Sequence, residues 1–149
     1  ILSLTGNVYN NRGTGGRLIG CEAAWQNAWY FDFAGPADGF PTGVTFGSSS
    51  LDISFTWSYS FVKDTTYHVA VQRIGTELSL WVNGVKQSVV YSTTADFSNS
   101  SYLINGMSRN YETYVEGLRC SVHMLRMVKD AALFTSNFTP DFNIIPKLI

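Results

Sequence analysis

Residues 67–84 constrain the fold of this chain more than any other stretch, because they predict a β-hairpin with an assigned register. Two runs of alternating apolar and polar residues flank Gly75 and Thr76, and a two-residue loop that begins with glycine is typical of a tight hairpin turn. The predicted cross-strand pairs are Val69 with Val82, Ala70 with Trp81, Val71 with Leu80, and Gln72 with Ser79. Antiparallel β-structure is therefore expected at the centre of the chain.

The two faces of this hairpin differ in chemistry, because successive side chains of a strand point to opposite sides. The apolar face, which we predict to be core, carries Tyr67, Val69, Val71, Leu78, Leu80 and Val82. The other face mixes polar and aromatic residues: His68, Ala70, Gln72, Ser79, Trp81 and Asn83. A mixed face of this kind suits either a wet binding surface or partial cover by another segment.

The rest of the chain alternates short apolar runs with turn residues at intervals of about ten residues, which is typical of sandwiches and jelly rolls. Strands are predicted at 17–21, 28–33, 44–46, 51–57, 85–91, 102–107 and 118–128. Loops are predicted at 7–16 and 109–116, and a single helical turn at 129–134. With 149 residues, 15% aromatic and 14% charged, the chain fits one all-β domain, an antiparallel two-sheet sandwich.

Charge and hydropathy exclude some classes of partner. A net charge of −1 gives no field to attract phosphate backbones or anionic lipid, so we expect neither nucleic acid nor membrane as partner. No apolar run approaches the roughly 20 residues that span a bilayer. Cys21 and Cys120 are the only cysteines, and they could form one disulfide or serve as two small apolar side chains.

Two blocks of sequence resemble a known family. The hairpin block, residues 67–85, reads YHVAVQRIGTELSLWVNGV, and the closing block, residues 125–142, reads LRMVKDAALFTSNFTPDF. Together they resemble laminin-G-like domains with the concanavalin A-like jelly-roll fold, of the kind found in phage tail and virion proteins. We therefore expect residues 1–149 to form a single laminin-G-like domain. We also expect it to be a piece of a longer chain, which leaves the N-terminal strands open.

The resemblance implies a non-enzymatic module for glycan binding or adhesion in a virion, with a cell-surface or extracellular protein as the alternative setting. Its expected partners are a glycan or host-surface receptor, other virion proteins, or copies of itself. A purely structural spacer or assembly domain of a viral particle is the alternative function.

Two groups of side chains are candidate glycan contacts, because aromatic faces stack on sugar C–H groups while amides and charged groups bond hydroxyls. The first group is Trp81 with His68 and Gln72, and the second is Arg109, Tyr111 and Tyr114. Each group also has a purely structural explanation. Trp81 could be covered by a neighbouring segment, and the tyrosines could anchor their loop to a sheet.

Enzymatic chemistry has little support in the sequence. A glucanase needs two carboxyl groups about 5 to 10 Å apart, and only Glu112 and Glu116, four residues apart in a predicted loop, are candidates. His68 and His123 cannot be assembled into a triad, because no strained nucleophile turn accompanies them. We predict no catalytic residues, with a glucanase as the least favoured alternative.

A metal site is also not expected. Asp32, Asp38 and Asp52 fall near predicted loops, and lectin-like sandwiches often bind calcium. However, these residues do not form the tight cluster of oxygen ligands that calcium requires. We expect no cofactor, and calcium is the alternative.

Overall fold

The computed structural model describes residues 1–10, 16–23, 26–36, 39–97, 103–106, 108–111 and 114–142; within these, it describes no side chains at 5–10, 21–23, 26–28, 103–106, 108–111 and 114–117. The described residues form strands and contain no α-helix. The strands are β1 (Leu2–Asn10), β2 (Gly16–Ala23), β3 (Gln26–Ala34), β4 (Gly43–Ser48), β5 (Ile53–Ser58), β6 (Thr65–Tyr67), β7 (Val69–Ile74), β8 (Glu77–Val82), β9 (Val85–Ser92), β10 (Leu103–Gly106), β11 (Ser108–Tyr111) and β12 (Tyr114–Val122).

The strands pair in antiparallel fashion throughout the described registers. Their hydrogen-bonded orders are β11-β12-β1-β6, β10-β2-β3-β4-β5 and β7-β8-β9. The predicted all-β class with antiparallel sheets is confirmed.

The chain forms two compact units, each built from separated stretches of sequence. The hairpin unit contains Ile1–Thr5, Asp64–Thr94 and the chain from Cys120 onwards, and the five-strand unit contains Gly6–Lys63 and Ala95–Arg119. The single laminin-G-like domain stays a prediction.

The hairpin unit contains the predicted hairpin in the predicted register. Val69 pairs with Val82, Ala70 with Trp81, Val71 with Leu80, and Gln72 with Ser79. Gly75 has a φ of 59° at the first turn, and Asn83 and Gly84 have φ values of 49° and 77° at the second. Positive φ at both positions is what an Asn-Gly hairpin turn requires.

The core of the hairpin unit lies on the face predicted from alternation. Leu78, Leu80 and Val82 are at most 2% exposed, and Tyr67 is 4% exposed. The inward side chains of β7 are only half-buried, so the central strand β8 carries most of this core. Ser79 and Trp81, on the opposite face of β8, are also buried.

The five-strand unit has one apolar face centred on three aligned strands. Phe33 of β3 pairs with Val44 of β4, which pairs with Trp57 of β5, and all three are at most 1% exposed. The register places Ile53, Phe55 and Trp57 on one face of β5. Leu51 lies outside this pattern, in the exposed turn before β5.

Several predicted elements differ from the structure. Residues 7–10 belong to β1, residues 109–111 and 114–116 belong to the β11–β12 hairpin, and the strand predicted at 118–128 ends at Val122. This strand ends because the amides of His123 and Met124 both donate to the carbonyl of Ile1, at 2.9 and 3.2 Å, which cannot continue a ladder. Residues 129–134 form no helical turn.

Candidate functional site

Trp81 lies beneath the closing block. Its side chain is 3% exposed, and its ring centroid lies 5.6 Å from that of Phe134 and 6.3 Å from that of Phe138. The two phenylalanine rings stack on each other at 4.6 Å with an interplanar angle of 11°. The mixed face of the hairpin is therefore a second, aromatic core, covered by Phe134 and Phe138 of the closing block.

The side chain of Gln72 forms hydrogen bonds to the backbone of the closing block. Its Nε2 donates to the carbonyl oxygen of Phe134 at 2.7 Å. Its Oε1 accepts from the amides of Leu133 and Phe134, at 2.7 and 2.9 Å. The side-chain amide of Gln72 thus bonds backbone groups of Leu133 and Phe134 that would otherwise pair with a neighbouring strand.

The second hairpin turn provides the other anchor of the closing block. The amide of Phe138 donates to the carbonyl of Gly84 at 3.0 Å, and the amide of Lys86 donates to Asn137 Oδ1 at 3.2 Å. A Cβ at Gly84 would overlap the carbonyl group of Phe138, so only glycine permits this approach.

His68 completes the cluster. Its ring stands almost perpendicular to Phe134 and Phe138, with centroids 5.4 and 5.3 Å away. Its amide donates to Asn83 Oδ1 at 3.0 Å, and its carbonyl accepts from the Asn83 amide at 2.8 Å. Nδ1 is buried without a hydrogen-bond partner, and burial lowers the pKa of the imidazole.

The structure therefore brings the first candidate group together beneath the closing block, with Trp81 buried and His68 and Gln72 half-buried. Glycan contact by His68 and Gln72 stays a prediction. His68, Gln72 and Trp81 are neighbours, but the closing block occupies the space above them. Glycan contact by Trp81 would require that block to leave. The arrangement matches the alternative in which another segment covers this face.

The second candidate group lies on a hairpin instead of a loop. Arg109 and Tyr111 belong to β11 and Tyr114 begins β12, and Tyr111 pairs with Tyr114 across the turn. Arg109 pairs with Glu116, while Glu112 lies outside the described residues. Glycan contact by Arg109, Tyr111 and Tyr114 stays a prediction, because the structure describes only their backbone.

Two of the three aspartates considered for calcium, Asp32 and Asp52, have described positions. Asp32 forms an ion pair with Arg17, Asp52 lies in an exposed turn, and Asp38 lies outside the described residues. Among the residues with described positions, no three His, Cys, Asp or Glu side chains form a group that could hold a metal ion.

Cys120 carries a free thiol, and burial raises its pKa to about 11. It therefore behaves as one of the small apolar side chains that the sequence allowed, while the side chain of Cys21 lies outside the described part. In that same part, no helix is long and apolar enough to cross a membrane.

A polar strip crosses the five-strand unit on the face opposite Phe33, Val44 and Trp57. The register aligns Arg17 with Asp32, Asp32 with Thr45, and Thr45 with Thr56 across β2 to β5. Tyr30 stands two residues before Asp32 on β3 and therefore on the same face. We call Arg17, Tyr30, Asp32, Thr45 and Thr56 the polar strip.

The β2 and β3 side of the polar strip is fixed in place. Arg17 is 2% exposed and donates from Nε and Nη2 to both carboxylate oxygens of Asp32, at 3.2 Å for Nη2. Its guanidinium carbon lies 4.9 Å from the centroid of the Tyr30 ring, a cation–π distance. The ring also lies against Gly47, where a Cβ would come within 2.7 Å of the Tyr30 hydroxyl.

Exposure increases along the polar strip from β2 to β5. Arg17 is buried, Tyr30, Asp32 and Thr45 are half-buried, and Thr56 is exposed. The hydroxyls of Thr45 and Thr56 lie 2.9 Å apart at the open end, with Ser54 also exposed on β5. A ligand that approaches from β5 would meet the hydroxyls of Thr56 and Thr45 first. It would then meet the carboxylate of Asp32 and the ring of Tyr30, which the buried Arg17 holds in place.

Sequence reasoning missed the polar strip, although one signal was present. Each member on β3 to β5 sits between apolar residues, as Asp32 does between Phe31 and Phe33. Such alternation indicates which side chains of one strand share a face, but it does not reveal which strands are neighbours.

Comparison with known proteins gives no further assignment, because no family model, curated protein or solved structure matches this chain.

Proposed function

We propose that this protein is a non-enzymatic glycan-binding or adhesion module of a virion or cell-surface protein. The polar strip carries the proposal. It combines a partly exposed aromatic ring with hydroxyl and carboxylate groups on neighbouring strands. Neutral polyhydroxylated ligands need this combination, because their C–H faces stack on rings and their hydroxyls both donate and accept hydrogen bonds.

The proposed contacts follow from the geometry of the strip. Tyr30 provides the stacking surface, Asp32 accepts from ligand hydroxyls beside its ion pair, and Thr45 and Thr56 donate and accept at the open end. Neighbouring strands lie about 4.8 Å apart, close to the length of one pyranose ring, so a short glycan would span β3 to β5. Because Arg17 already holds Tyr30 and Asp32, binding would cost little side-chain entropy.

The fold that we propose for this module is a two-sheet sandwich of the concanavalin A-like jelly-roll type, forming one laminin-G-like domain. The antiparallel sheets are compatible with it. The two blocks that resemble this family contact each other through Gln72 and Phe134, and through Gly84 and Phe138. That contact supports the resemblance, because both blocks would then belong to one structural motif.

A glycan array tests the proposed function. The wild-type protein is expected to bind a restricted set of glycans, Tyr30→Ala to lose that binding, and Thr56→Val to weaken it by about tenfold, since one hydrogen bond to a hydroxyl is removed. Thr94→Val, an exposed threonine of the hairpin unit, is the matched control and leaves binding unchanged.

A blank array with folded wild-type protein would contradict glycan binding, as would binding that survives Tyr30→Ala. Binding lost only in Tyr111→Ala would assign the β11–β12 hairpin as the site instead.

The alternative function, a spacer or assembly domain of a viral particle, is favoured by a different feature. Residues 124–128 expose several large apolar side chains.

A further inference from the structure

The five-stranded sheet that carries the polar strip contains few charged residues. In the sequence of β2, β3, β4, β5 and β10 they are the acidic Glu22 and Asp32 and the basic Arg17. The guanidinium of Arg17 is therefore the one cation that these strands could offer to a ligand lying on the sheet.

Arg17 is not accessible to such a ligand. It is 2% exposed, and its Nε and Nη2 donate to the carboxylate of Asp32. Its Nη1 lies over Gly20, where a Cβ would come within 2.8 Å of that nitrogen. The missing side chain at Gly20 thus lets the guanidinium lie against the sheet, beside the ring of Tyr30. The charge of Arg17 is used inside the protein, where it balances that of Asp32.

The exposed part of the same face offers hydroxyl groups. Ser54, Thr56 and Ser58 occupy alternate positions of β5 and are all exposed. They share the face of Thr45, which pairs with Thr56. Hydroxyls both donate and accept hydrogen bonds, but they carry no charge. A carboxylate or sulfate group of a ligand would lose its hydration on this face without gaining a cation.

We propose, on the basis of the glycan-binding function proposed above, that the polar strip selects neutral glycans and excludes acidic ones. The excluded class comprises glycans with sialic acid, uronic acid or sulfate groups. Selectivity of this kind comes from a penalty against the wrong ligand. An acidic group would be desolvated near the carboxylate of Asp32, whose side chain is 14% exposed, and the one cation of these strands is buried beneath it.

Matched probes test this selectivity. A neutral oligosaccharide that binds the wild-type protein on the glycan array is compared by calorimetry with its sulfated and sialylated derivatives, at low and at high ionic strength. The acidic derivatives are expected to bind at least about tenfold more weakly than the neutral parent. Binding of the neutral parent is expected to be the same at both ionic strengths, because the ligand forms no charge pair.

Ser54→Lys adds the missing cation to this face. Ser54 pairs with Gly47, against which the ring of Tyr30 lies, so a lysine at this exposed position places its ammonium group beside a ligand on that ring. The variant is expected to bind the sulfated derivative about tenfold more tightly than the wild type does, and to lose this gain at high ionic strength. Thr94→Lys adds the same charge at an exposed position of the hairpin unit, and as the matched control it leaves the preference for neutral glycans unchanged.

Failure of the selectivity and failure of glycan binding give different results. Acidic derivatives that bind the wild type as tightly as the neutral parent, with both lost in Tyr30→Ala, would overturn the selectivity and leave glycan binding at the polar strip intact. A Ser54→Lys variant that is folded by circular dichroism but gains no affinity for the sulfated derivative would also overturn the selectivity. A folded wild-type protein that binds neither neutral nor acidic probes would remove the glycan-binding function, and the selectivity with it.

Discussion

The carbonyl of Gly84 accepts a hydrogen bond from the amide of Phe138 at 3.0 Å. No other residue type could occupy position 84 unless the backbone of Phe138 moved. The φ of Gly84 is 77°, and the space that a Cβ would need is filled by Phe138. The turn between β8 and β9 is therefore also the docking point for the closing block.

Gly84→Ala is expected to lower the free energy of unfolding by about 2 to 4 kcal/mol, because it combines backbone strain with a steric overlap. Gly75→Ala is the matched control. Gly75 has a φ of 59° but no atom within 4 Å of its missing Cβ, so only the strain of about 1 kcal/mol is expected. Urea unfolding of both variants measures the difference, and equal losses would show that the overlap with Phe138 is unimportant.

Gln72→Leu is expected to destabilise the protein by about 2 to 3 kcal/mol, because three backbone groups of Leu133 and Phe134 lose their side-chain partner. Gln87→Leu is the control, since among the described residues the Gln87 side chain bonds only to the nearby carbonyl of Val85, and it should cost less than about 1 kcal/mol. Urea unfolding gives the energies. Hydrogen exchange of the Phe134 amide shows whether the loss occurs at the closing block. An unchanged exchange rate in Gln72→Leu would show that Gln72 does not hold the closing block.

The hairpin could be predicted from sequence because its signals are local. Gly75-Thr76 and Asn83-Gly84 specify the two turns, and the alternation between them specifies which side chains share a face. The register of Val69 with Val82 follows from these features alone.

The environment of each face could not be predicted, because it depends on segments far away in the chain. Trp81 has the alternation of a surface residue on a half-buried strand, yet Phe134 and Phe138, more than fifty positions later, bury it. The pairing of Asp32 with Thr45 likewise requires knowing that β3 and β4 are neighbours. Long-range pairing therefore decides both the covered cluster and the polar strip.

Asp32→Ala is expected to destabilise the protein by about 3 to 5 kcal/mol, because Arg17 would remain 2% exposed without its carboxylate partner. The double variant Arg17→Met with Asp32→Leu should recover much of this loss, since apolar side chains of similar volume avoid a buried unpaired charge. Chemical unfolding of Arg17→Met, Asp32→Leu and the double variant forms a mutant cycle. Additive losses would mean that the two side chains do not act as a pair.

Acidification is expected to loosen the closing block through His68. Burial lowers the pKa of His68 below its ordinary value of 6.5, so the folded protein binds this proton less readily than the unfolded chain. The contribution of neutral His68 is fully present above pH 6.5 and is lost as the pH falls through the lowered pKa. Unfolding free energies measured between neutral and mildly acidic pH should therefore decrease in the wild type. They should decrease less in His68→Gln, whose side chain does not titrate, and equal slopes would assign the acid sensitivity to other groups.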